Sequence, residues 1–210
     1  MFRCFIITSY LNGDLPSILD KNNEDFIICA DNGYSVAKNN GIVPNIIIGD
    51  FDSFDSSEID FPSNIETLKL PVEKDVTDTL ACVKYAINKG FKEIIIIGGI
   101  GGRLDHTMAN LQCLLYGLSL GVNIELRDSN NIATLHFPSE IIIKKEKNFK
   151  VSLFSFDHVC DGISTKGLKY QLFNDKLSQG FPLGVSNEFT AEYASVSFKS
   201  GILLLILSKD

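Results

Sequence analysis

A run of four isoleucines between two helical patterns constrains the fold most strongly. Glu93–Ile97 contains this run and is typical of an interior strand of a parallel sheet, which is apolar on both faces. Val76–Lys89 precedes it and Leu104–Leu120 follows it, each with apolar residues at helical spacing and a glycine just beyond its end. A buried strand between two such helices predicts a parallel sheet with helices on both faces. The apolar positions are Leu80, Val83 and Ile87 in the first helix, and Leu104, Met108, Leu111, Leu115 and Leu118 in the second.

The alternation extends through the first half of the chain and then stops. Further strands are predicted at Phe2–Thr8, Phe26–Ala30, Ile46–Ile48, Glu66–Leu70 and Val122–Leu126, and a helix at Asn32–Asn40. Beyond Asp128, short strand-like runs separated by turn residues take over. We therefore expect an α/β fold with an N-terminal open, mostly parallel, doubly wound sheet (residues 1–128) and a C-terminal all-β sandwich domain (residues 129–210). The strands predicted for the second domain are Ala133–Phe137, Ile141–Ile143, Lys150–Phe156, Gly162–Tyr170, Ser195–Phe198 and Ile202–Leu207.

Composition narrows the functional classes. The chain has 210 residues, of which 45% are hydrophobic and 21% charged, as in globular proteins. Its formal net charge of -7 argues against non-specific nucleic-acid binding. The five cysteines form no C-x-x-C pair, so we expect buried, reduced thiols and no zinc site. No targeting signal or membrane-length apolar run is visible, and we expect a cytoplasmic protein with no membrane partner.

Two carboxylates follow the strand Ile46–Ile48. Asp50 and Asp52 lie two residues apart, so in an extended chain they share one face while Phe51 turns towards the core. Gly49 leaves room for a close backbone or ligand approach. Paired carboxylates repel unless they share a cation or a proton, and the carboxyl end of a strand is where open α/β sheets bind ligands. The alternative is an ordinary Asp-rich turn.

A second polar cluster, Ala30-Asp31-Asn32-Gly33, follows an apolar strand. The Asp31 carboxylate could bind a sugar hydroxyl, or it could cap the helix that follows. Lys38 lies one or two turns further along, where it could reach a phosphate or could be a solvated surface lysine.

A third cluster opens the helix that ends at Lys89. Asp75 and Asp78 form a capping-box-like pair, or they add carboxylates to those at Asp50 and Asp52. Magnesium needs only one or two protein carboxylates, because water and phosphates complete its shell.

A fourth cluster is the glycine-rich segment Gly98–Gly102. Glycines after a buried strand let backbone N–H groups approach a phosphate, and Arg103 adds a bidentate donor. Asp105 falls in the first helical turn, where the helix dipole favours its ionised form. The segment is not a P-loop, and Leu104 stands where a dinucleotide fingerprint needs its third glycine. Acids for a metal and donors for phosphates together favour phosphoryl transfer.

Five short motifs in this order resemble the bacterial thiamine pyrophosphokinase family over nearly the whole chain. They are Ala30-Asp31-Asn32-Gly33, Gly49-Asp50-Phe51-Asp52-Ser53, Asp75-Val76-Thr77-Asp78, Gly102-Arg103-Leu104-Asp105-His106 and Gly184-Val185-Ser186-Asn187-Glu188-Phe189. The resemblance implies an α/β catalytic domain, a thiamine-binding β-sandwich and a homodimer with its active site between subunits. It also implies transfer of pyrophosphate from ATP to the thiamine hydroxyl, giving thiamine diphosphate and AMP, with Mg²⁺. Two positions depart from the family pattern. Asn32 stands where glycine is frequent, and Leu80 stands where an acid often follows the Thr-Asp pair.

The resemblance further implies residue roles. Asp105 would orient the thiamine hydroxyl or act as its base, and Ser186 and Asn187 would hydrogen-bond the pyrimidine, although on their own these two suit a turn between strands. The implied magnesium ligands are Asp50, Asp52 and Asp78, with Asp75 nearby. The implied ATP-binding residues are Asp31, Asn32, Gly33, Lys38, Asp75, Thr77, Gly101, Gly102 and Arg103. The implied catalytic set is Asp50, Asp52, Asp78, Arg103 and Asp105.

Two other classes of function remain open from the residues alone. One is a different magnesium-dependent phosphotransferase or nucleotide hydrolase on the same scaffold. The other is a non-catalytic nucleotide- or thiamine-binding module, against which the number of carboxylates argues. A dinucleotide-dependent reductase is a remote third. Thiamine-dependent release of AMP would distinguish a thiamine pyrophosphokinase from all of these alternatives.

Overall fold

The structure, a computed structural model, describes residues 2–22, 24–51, 62–73 and 75–210. Asp52 lies outside the described residues. The chain divides into two compact units, Met1–Ser129 and Asn130–Asp210, each with a hydrophobic core of its own. All five cysteines are buried and free, as expected from the sequence.

Parallel strands form the centre of the first unit, as predicted. In sequence order they are β1 (Cys4–Ile7), β2 (Phe26–Ala30), β3 (Ile46–Gly49), β4 (Glu66–Lys69), β5 (Glu93–Ile97) and β6 (Asn123–Arg127). Their spatial order is β6-β5-β1-β2-β3-β4, and each neighbouring pair is parallel. The order reverses between β1 and β5. In open α/β sheets this reversal opens a crevice at the carboxyl ends of the strands, where ligands bind.

Helices connect these strands: α1 (Leu15–Ile18), α2 (Gly33–Asn39), α3 (Asp78–Asn88) and α4 (Leu104–Ser119). The single turn α1 was not predicted; Asp14 caps it by accepting a hydrogen bond from the Ser17 N–H. The capping pair predicted for Asp75 and Asp78 is wrong. Thr77 is the N-cap of α3, and its Oγ1 accepts from the Leu80 N–H at 3.2 Å. None of the described helices is long and apolar enough to span a membrane.

The apolar stripe that identifies α4 is not its most buried face. Leu104 is 74% exposed and Met108 49% exposed. Gly117 brings α4 close to β6, because a Cβ there would lie 2.4 Å from Cδ1 of Ile124. The buried face is therefore offset from the predicted leucine stripe, and part of that stripe remains on the surface. The buried positions of α4 are Asn110, Cys113, Leu114 and Gly117.

The second unit consists of antiparallel strands in two sheets, which confirms the predicted sandwich class. Their spatial orders are β12-β9-β14-β7 and β11-β10-β13-β8. Both sheets contribute to one apolar core that includes Val151, Ile163, Val196 and Leu203. The strands are β7 (Asn131–His136), β8 (Glu140–Lys144), β9 (Lys150–Ser155), β10 (Val159–Lys166), β11 (Asp175–Ser178), β12 (Gly184–Asn187), β13 (Tyr193–Ser197) and β14 (Leu203–Ser208).

Candidate active site

A cavity of about 650 Å³ lies at the carboxyl edge of the first unit's sheet, at the reversal of strand order. It is lined by the segment after β1, by the residues that follow β2 and β3, by the start of α3 and by the glycine segment after β5. The structure therefore brings most of the predicted clusters to one place. The predicted residues that line it are Asp31, Asp50, Thr77, Asp78, Gly101, Gly102 and Arg103.

Asp31 and Asp50 follow neighbouring strands, and Gly49 lets them come together. Asp31 has a left-handed backbone (φ +46°), and its N–H donates to the Ile48 carbonyl at 2.8 Å. A Cβ on Gly49 would lie 2.9 Å from Cα of Asp31 and 3.0 Å from its Oδ1. The close approach predicted at Gly49 is thus confirmed, and the group that approaches is Asp31.

Phe51 turns away from this edge as predicted. Its ring is partly buried against the core that contains Phe5 and Ile47. The backbone, however, is left-handed at Phe51 (φ +62°) and not extended as the pairing of Asp50 with Asp52 assumed. Such a conformation is rare and costly for a bulky residue, and costs of this kind occur most often at functional sites.

The start of α3 supplies a third carboxylate to the cavity, after those of Asp31 and Asp50. Asp78 is half-buried in the first turn and lines the cavity, and the helix dipole there favours its charged form. Asp75, three residues earlier, is exposed and does not line the cavity.

The α2 residues predicted to bind nucleotide do not line the cavity either. Gly33 has a packing role, because a Cβ there would lie 2.1 Å from the Ile7 carbonyl oxygen. Asn32 is the N-cap of α2 but makes no side-chain capping bond. Lys38 is exposed in the last turn of α2, where the helix dipole stabilises a positive charge.

The glycine segment is a tightly bonded turn. Gly98, Gly99, Gly101 and Gly102 have φ values of +83°, +71°, +91° and +63°. Three of its N–H groups already have partners within the protein. The Gly98 N–H donates to the Arg127 carbonyl at 2.8 Å, and the Gly99 N–H donates to the Tyr10 carbonyl at 2.6 Å. The Gly101 N–H donates to Thr107 Oγ1 at 3.0 Å. Phosphate contacts from the segment would therefore come from its other N–H groups and from the first turn of α4.

Arg103 and Asp105 form an exposed, two-point ion pair. Nε of Arg103 lies 3.2 Å from Oδ1 of Asp105, and Nη2 lies 2.6 Å from Oδ2. The hydrogen bond from Arg103 lowers the pKa of Asp105, and the pKa of Arg103 is raised in turn. Arg103 lines the cavity and Asp105 does not. Asp105 therefore orients the guanidinium in this structure.

Ser186 and Asn187 lie in β12 of the second unit, so the turn that their sequence suggests is wrong. Ser186 has a left-handed backbone (φ +58°), and its N–H donates to Ser152 Oγ at 3.0 Å. The Asn187 amide accepts from the Tyr170 N–H at 3.0 Å and donates to the Tyr170 carbonyl at 2.6 Å. Much of its hydrogen-bonding capacity is thus used within the unit.

Several cavity residues were not predicted. Thr8 and Tyr10 follow β1, and Ala109 and Asn110 lie on α4. His106, which had no role assigned although it belongs to a quoted motif, also lines the cavity from α4. The strand-end rule that found Asp31 and Asp50 also applies to the end of β1. Thr8 and Tyr10 carry no formal charge, so charge at a strand end does not single them out.

Comparison with known proteins identifies the chemistry. A family model described as thiamin pyrophosphokinase, catalytic domain, matches residues 19–126, and one described as thiamin pyrophosphokinase, vitamin B1 binding domain, matches residues 139–203. The thiamine pyrophosphokinase of Bacillus subtilis is 33% identical over 93% of this chain and 94% of its own length. A thiamin pyrophosphokinase of Caenorhabditis elegans is 27% identical over 97% of this chain and 89% of its own length.

Solved structures agree with these matches. The crystal structure of the Bacillus subtilis enzyme superposes with a TM-score of 0.89 at 28% identity, covering 100% of both chains. That of the Geobacillus thermodenitrificans enzyme gives a TM-score of 0.87 at 27% identity, covering 100% of this chain and 98% of the other. The family resemblance drawn from the five motifs is confirmed: the chain belongs to the thiamine pyrophosphokinase family and is an enzyme.

Proposed function

We propose that the protein transfers the pyrophosphoryl group of ATP to the hydroxyl group of thiamine, giving thiamine diphosphate and AMP. One observation carries this proposal. The carboxylates of Asp50 and Asp78, the guanidinium of Arg103 and the glycine segment line one cavity at the reversal of strand order. Phosphoryl transfer depends mainly on positioning and on neutralising phosphate charge, and these groups supply both.

Arg103 is the phosphate ligand of this proposal, together with Gly102. Its planar guanidinium suits bidentate binding of phosphate oxygens. Gly101 lines the cavity beside them, but its N–H donates to Thr107 Oγ1. Asp31 contacts the nucleotide from the end of β2, and Thr77 from the start of α3; both line the cavity. Asn32, Gly33, Lys38 and Asp75 remain predicted nucleotide contacts from the resemblance, without support from the lining of the cavity.

The carboxylates fit a magnesium ion that is shared with substrate. Asp50 and Asp78 reach the cavity from β3 and α3, and Mg²⁺ takes one or two carboxylates while phosphates and water supply its other ligands. Within the described ranges, no group of three or more His, Cys, Asp or Glu residues is placed to hold a metal. Asp52, a predicted ligand, lies outside those ranges. The ion would neutralise charge on the transferred group.

We assign to Asp105 an orienting role. Its lowered pKa makes it a weak base, and its hydrogen bonds fix the guanidinium that lines the cavity. The first unit would be the catalytic domain (residues 1–128 by prediction). The second would bind thiamine, with Ser186 and Asn187 near the pyrimidine.

A homodimer with its active site between subunits is part of the proposal. The exposed apolar residues of α4 support it, since Leu104 and Met108 are 74% and 49% exposed. An apolar stripe of this kind is typical of a surface covered by a partner. Light scattering should therefore give twice the mass of the chain, and Leu104→Asp with Met108→Asp should shift it towards the monomer. The buried free thiols support a cytoplasmic location.

The test is an incubation of purified protein with ATP and Mg²⁺, with and without thiamine, in which the nucleotide products are separated. We expect AMP only when thiamine is present. Release of ADP would indicate another phosphotransferase, and AMP release without thiamine a nucleotide hydrolase. Binding of either substrate with no product would indicate a non-catalytic module.

A pair of variants ties the activity to the cavity. Asp50→Asn should leave the fold intact and reduce turnover by orders of magnitude, because a charged metal ligand is lost. Asp20→Asn is the matched control, since Asp20 is an exposed carboxylate paired with Arg3 at the opposite edge of the sheet. Near wild-type activity of Asp50→Asn at saturating magnesium would contradict the assignment.

A further inference from the structure

The glycine segment is held from the α4 side by a buried amide that no motif singled out. Asn110 is 4% exposed, and its Nδ2 donates to the Gly99 carbonyl at 3.0 Å. Asn110 also lines the cavity. A buried polar group is costly unless it is hydrogen-bonded, so this contact fixes both the side chain and the loop.

Gly99 is shaped to receive this amide. A Cβ on Gly99 would lie 2.2 Å from Nδ2 of Asn110, so the amide occupies the space of a side chain. On the other side, the Gly99 N–H donates to the Tyr10 carbonyl at 2.6 Å. Both peptide groups of Gly99 are therefore fixed, one by the segment after β1 and one by α4.

This bonding determines where the next N–H points. In a trans peptide the N–H lies opposite the carbonyl, and no cis peptide occurs in the described chain. The Ile100 N–H must therefore point away from Asn110, on a loop with left-handed residues before and after it. Loops of this kind bind anions through N–H groups that are held in place before the ligand arrives.

We propose that Asn110 is a positioning residue for the nucleotide phosphates, acting through its hydrogen bond to the Gly99 carbonyl. The inference rests on the proposed function, in which this segment contacts ATP. It differs from a purely structural role in a measurable way. A structural residue changes the amount of folded enzyme, whereas a positioning residue changes the affinity for one substrate.

The experiment compares Asn110→Leu with Asn45→Leu. Leucine has the same number and branching of side-chain heavy atoms as asparagine but no hydrogen-bonding group. Asn45 is the matched control, because its Oδ1 also bonds the main chain, at the Ile27 N–H (2.8 Å), but at the amino-terminal end of β3. We expect Asn110→Leu to raise the KM for ATP about fivefold or more, the value of one hydrogen bond, with the KM for thiamine nearly unchanged. Asn45→Leu should leave both KM values unchanged.

A second variant approaches the same contact from the loop. Gly99→Ala keeps the Asn110 amide but displaces it, so the same selective rise in the KM for ATP is expected. An unchanged KM for ATP in a folded Asn110→Leu protein, or equal rises in both KM values, would overturn the inference. Calorimetric titration of the same proteins with ATP and Mg²⁺ is independent of turnover. If wild-type protein made no thiamine diphosphate, the proposed function would fail, and this titration would still decide the role of Asn110.

Discussion

The side-chain amide of Asn187 hydrogen-bonds both the N–H and the carbonyl of Tyr170, at 3.0 and 2.6 Å. It thus pairs with the main chain as a neighbouring strand would. The adjacent ion pair between Lys169 and Glu188, at 3.0 Å, ties the same two segments together. Asn187 therefore fixes the segment at Tyr170 beside Ser186, the other residue predicted to contact thiamine.

Removal of this amide should weaken both the fold and thiamine binding. Asn187→Ala is expected to lower the free energy of unfolding by about 2 kcal/mol, for the two hydrogen bonds to Tyr170 that are lost. It should also raise the KM for thiamine more than the KM for ATP, and Ser186→Ala should do the same without the loss of stability. Chemical denaturation and steady-state kinetics measure the two effects.

Gln179→Ala is the control for Asn187→Ala. Nε2 of Gln179 also donates to a main-chain carbonyl of the second unit, that of Phe156, at 3.1 Å. It should change neither KM value. Equal changes in both KM values for Asn187→Ala would speak against a thiamine-specific role.

A methyl group on Gly49 should displace Asp31. Because its Cβ would lie 2.9 Å from Cα of Asp31, we expect Gly49→Ala to cost about 1–3 kcal/mol of stability and to reduce turnover sharply. Gly180→Ala is the matched control, since nothing lies within 4 Å of a Cβ at Gly180. Thermal melts and kcat measure the difference. A fully active, stable Gly49→Ala protein would show that the position of Asp31 is unimportant.

The pH dependence distinguishes the two roles considered for Asp105. Its pKa is lowered below the ordinary 3.8 by the hydrogen bond from Arg103, so the ion pair is intact above about pH 4 and is lost only as the pH falls through the lowered pKa. Asp105→Asn should therefore reduce kcat/KM for ATP without changing the shape of the rate profile between about pH 5 and 8. The melting temperature should stay nearly unchanged, because both side chains are exposed.

The opposite pattern would identify Asp105 as the base. In that case the wild-type rate would fall on the acid side of the profile with a pKa within this range, and Asp105→Asn would abolish that dependence. Asp175→Asn, which changes a carboxylate in the second unit, controls for the loss of one charge.

The thiols should be inert in the native protein. Burial raises the pKa of Cys29 to about 12 and that of Cys113 to about 11, and it raises those of Cys4, Cys82 and Cys160 as well. The thiolate is the reactive form, so Ellman's reagent at pH 8 should label few or none of the thiols. In denaturant all five should react. Rapid labelling of a native thiol would show that its segment opens readily.

Apolar runs with clear ends were the most predictable part of the fold. The bounds of β2 and β5 are those expected from the sequence, because each strand is apolar on both faces and ends at a polar residue or a glycine. The short strands β11 and β12 were missed because both are polar and mostly exposed. The buried face of α4 was also unexpected, since Gly117, Cys113 and Leu114 pack inward in place of the predicted leucine stripe.

The candidate site was predictable where it carries charge. Strand-end carboxylates and Arg103 were found because charged groups at that edge have few structural reasons to be there. The polar residues that shape the glycine segment were not predicted, because their role depends on contacts with residues distant in the sequence. Thr8 Oγ1 donates to the carbonyl of Ile97, 89 residues away, and Asn110 bonds Gly99 across 11 residues. No local pattern reports such contacts.

The most direct test of the central claim follows the phosphates themselves. The protein would be incubated with thiamine, Mg²⁺ and ATP carrying ¹⁸O only at the non-bridging oxygens of its β- and γ-phosphates, and the masses of the thiamine species and of AMP would be measured by mass spectrometry. Transfer of an intact pyrophosphoryl group predicts thiamine diphosphate with label in both phosphates, equal in amount to unlabelled AMP. Thiamine monophosphate as the product, together with ADP, would contradict the account.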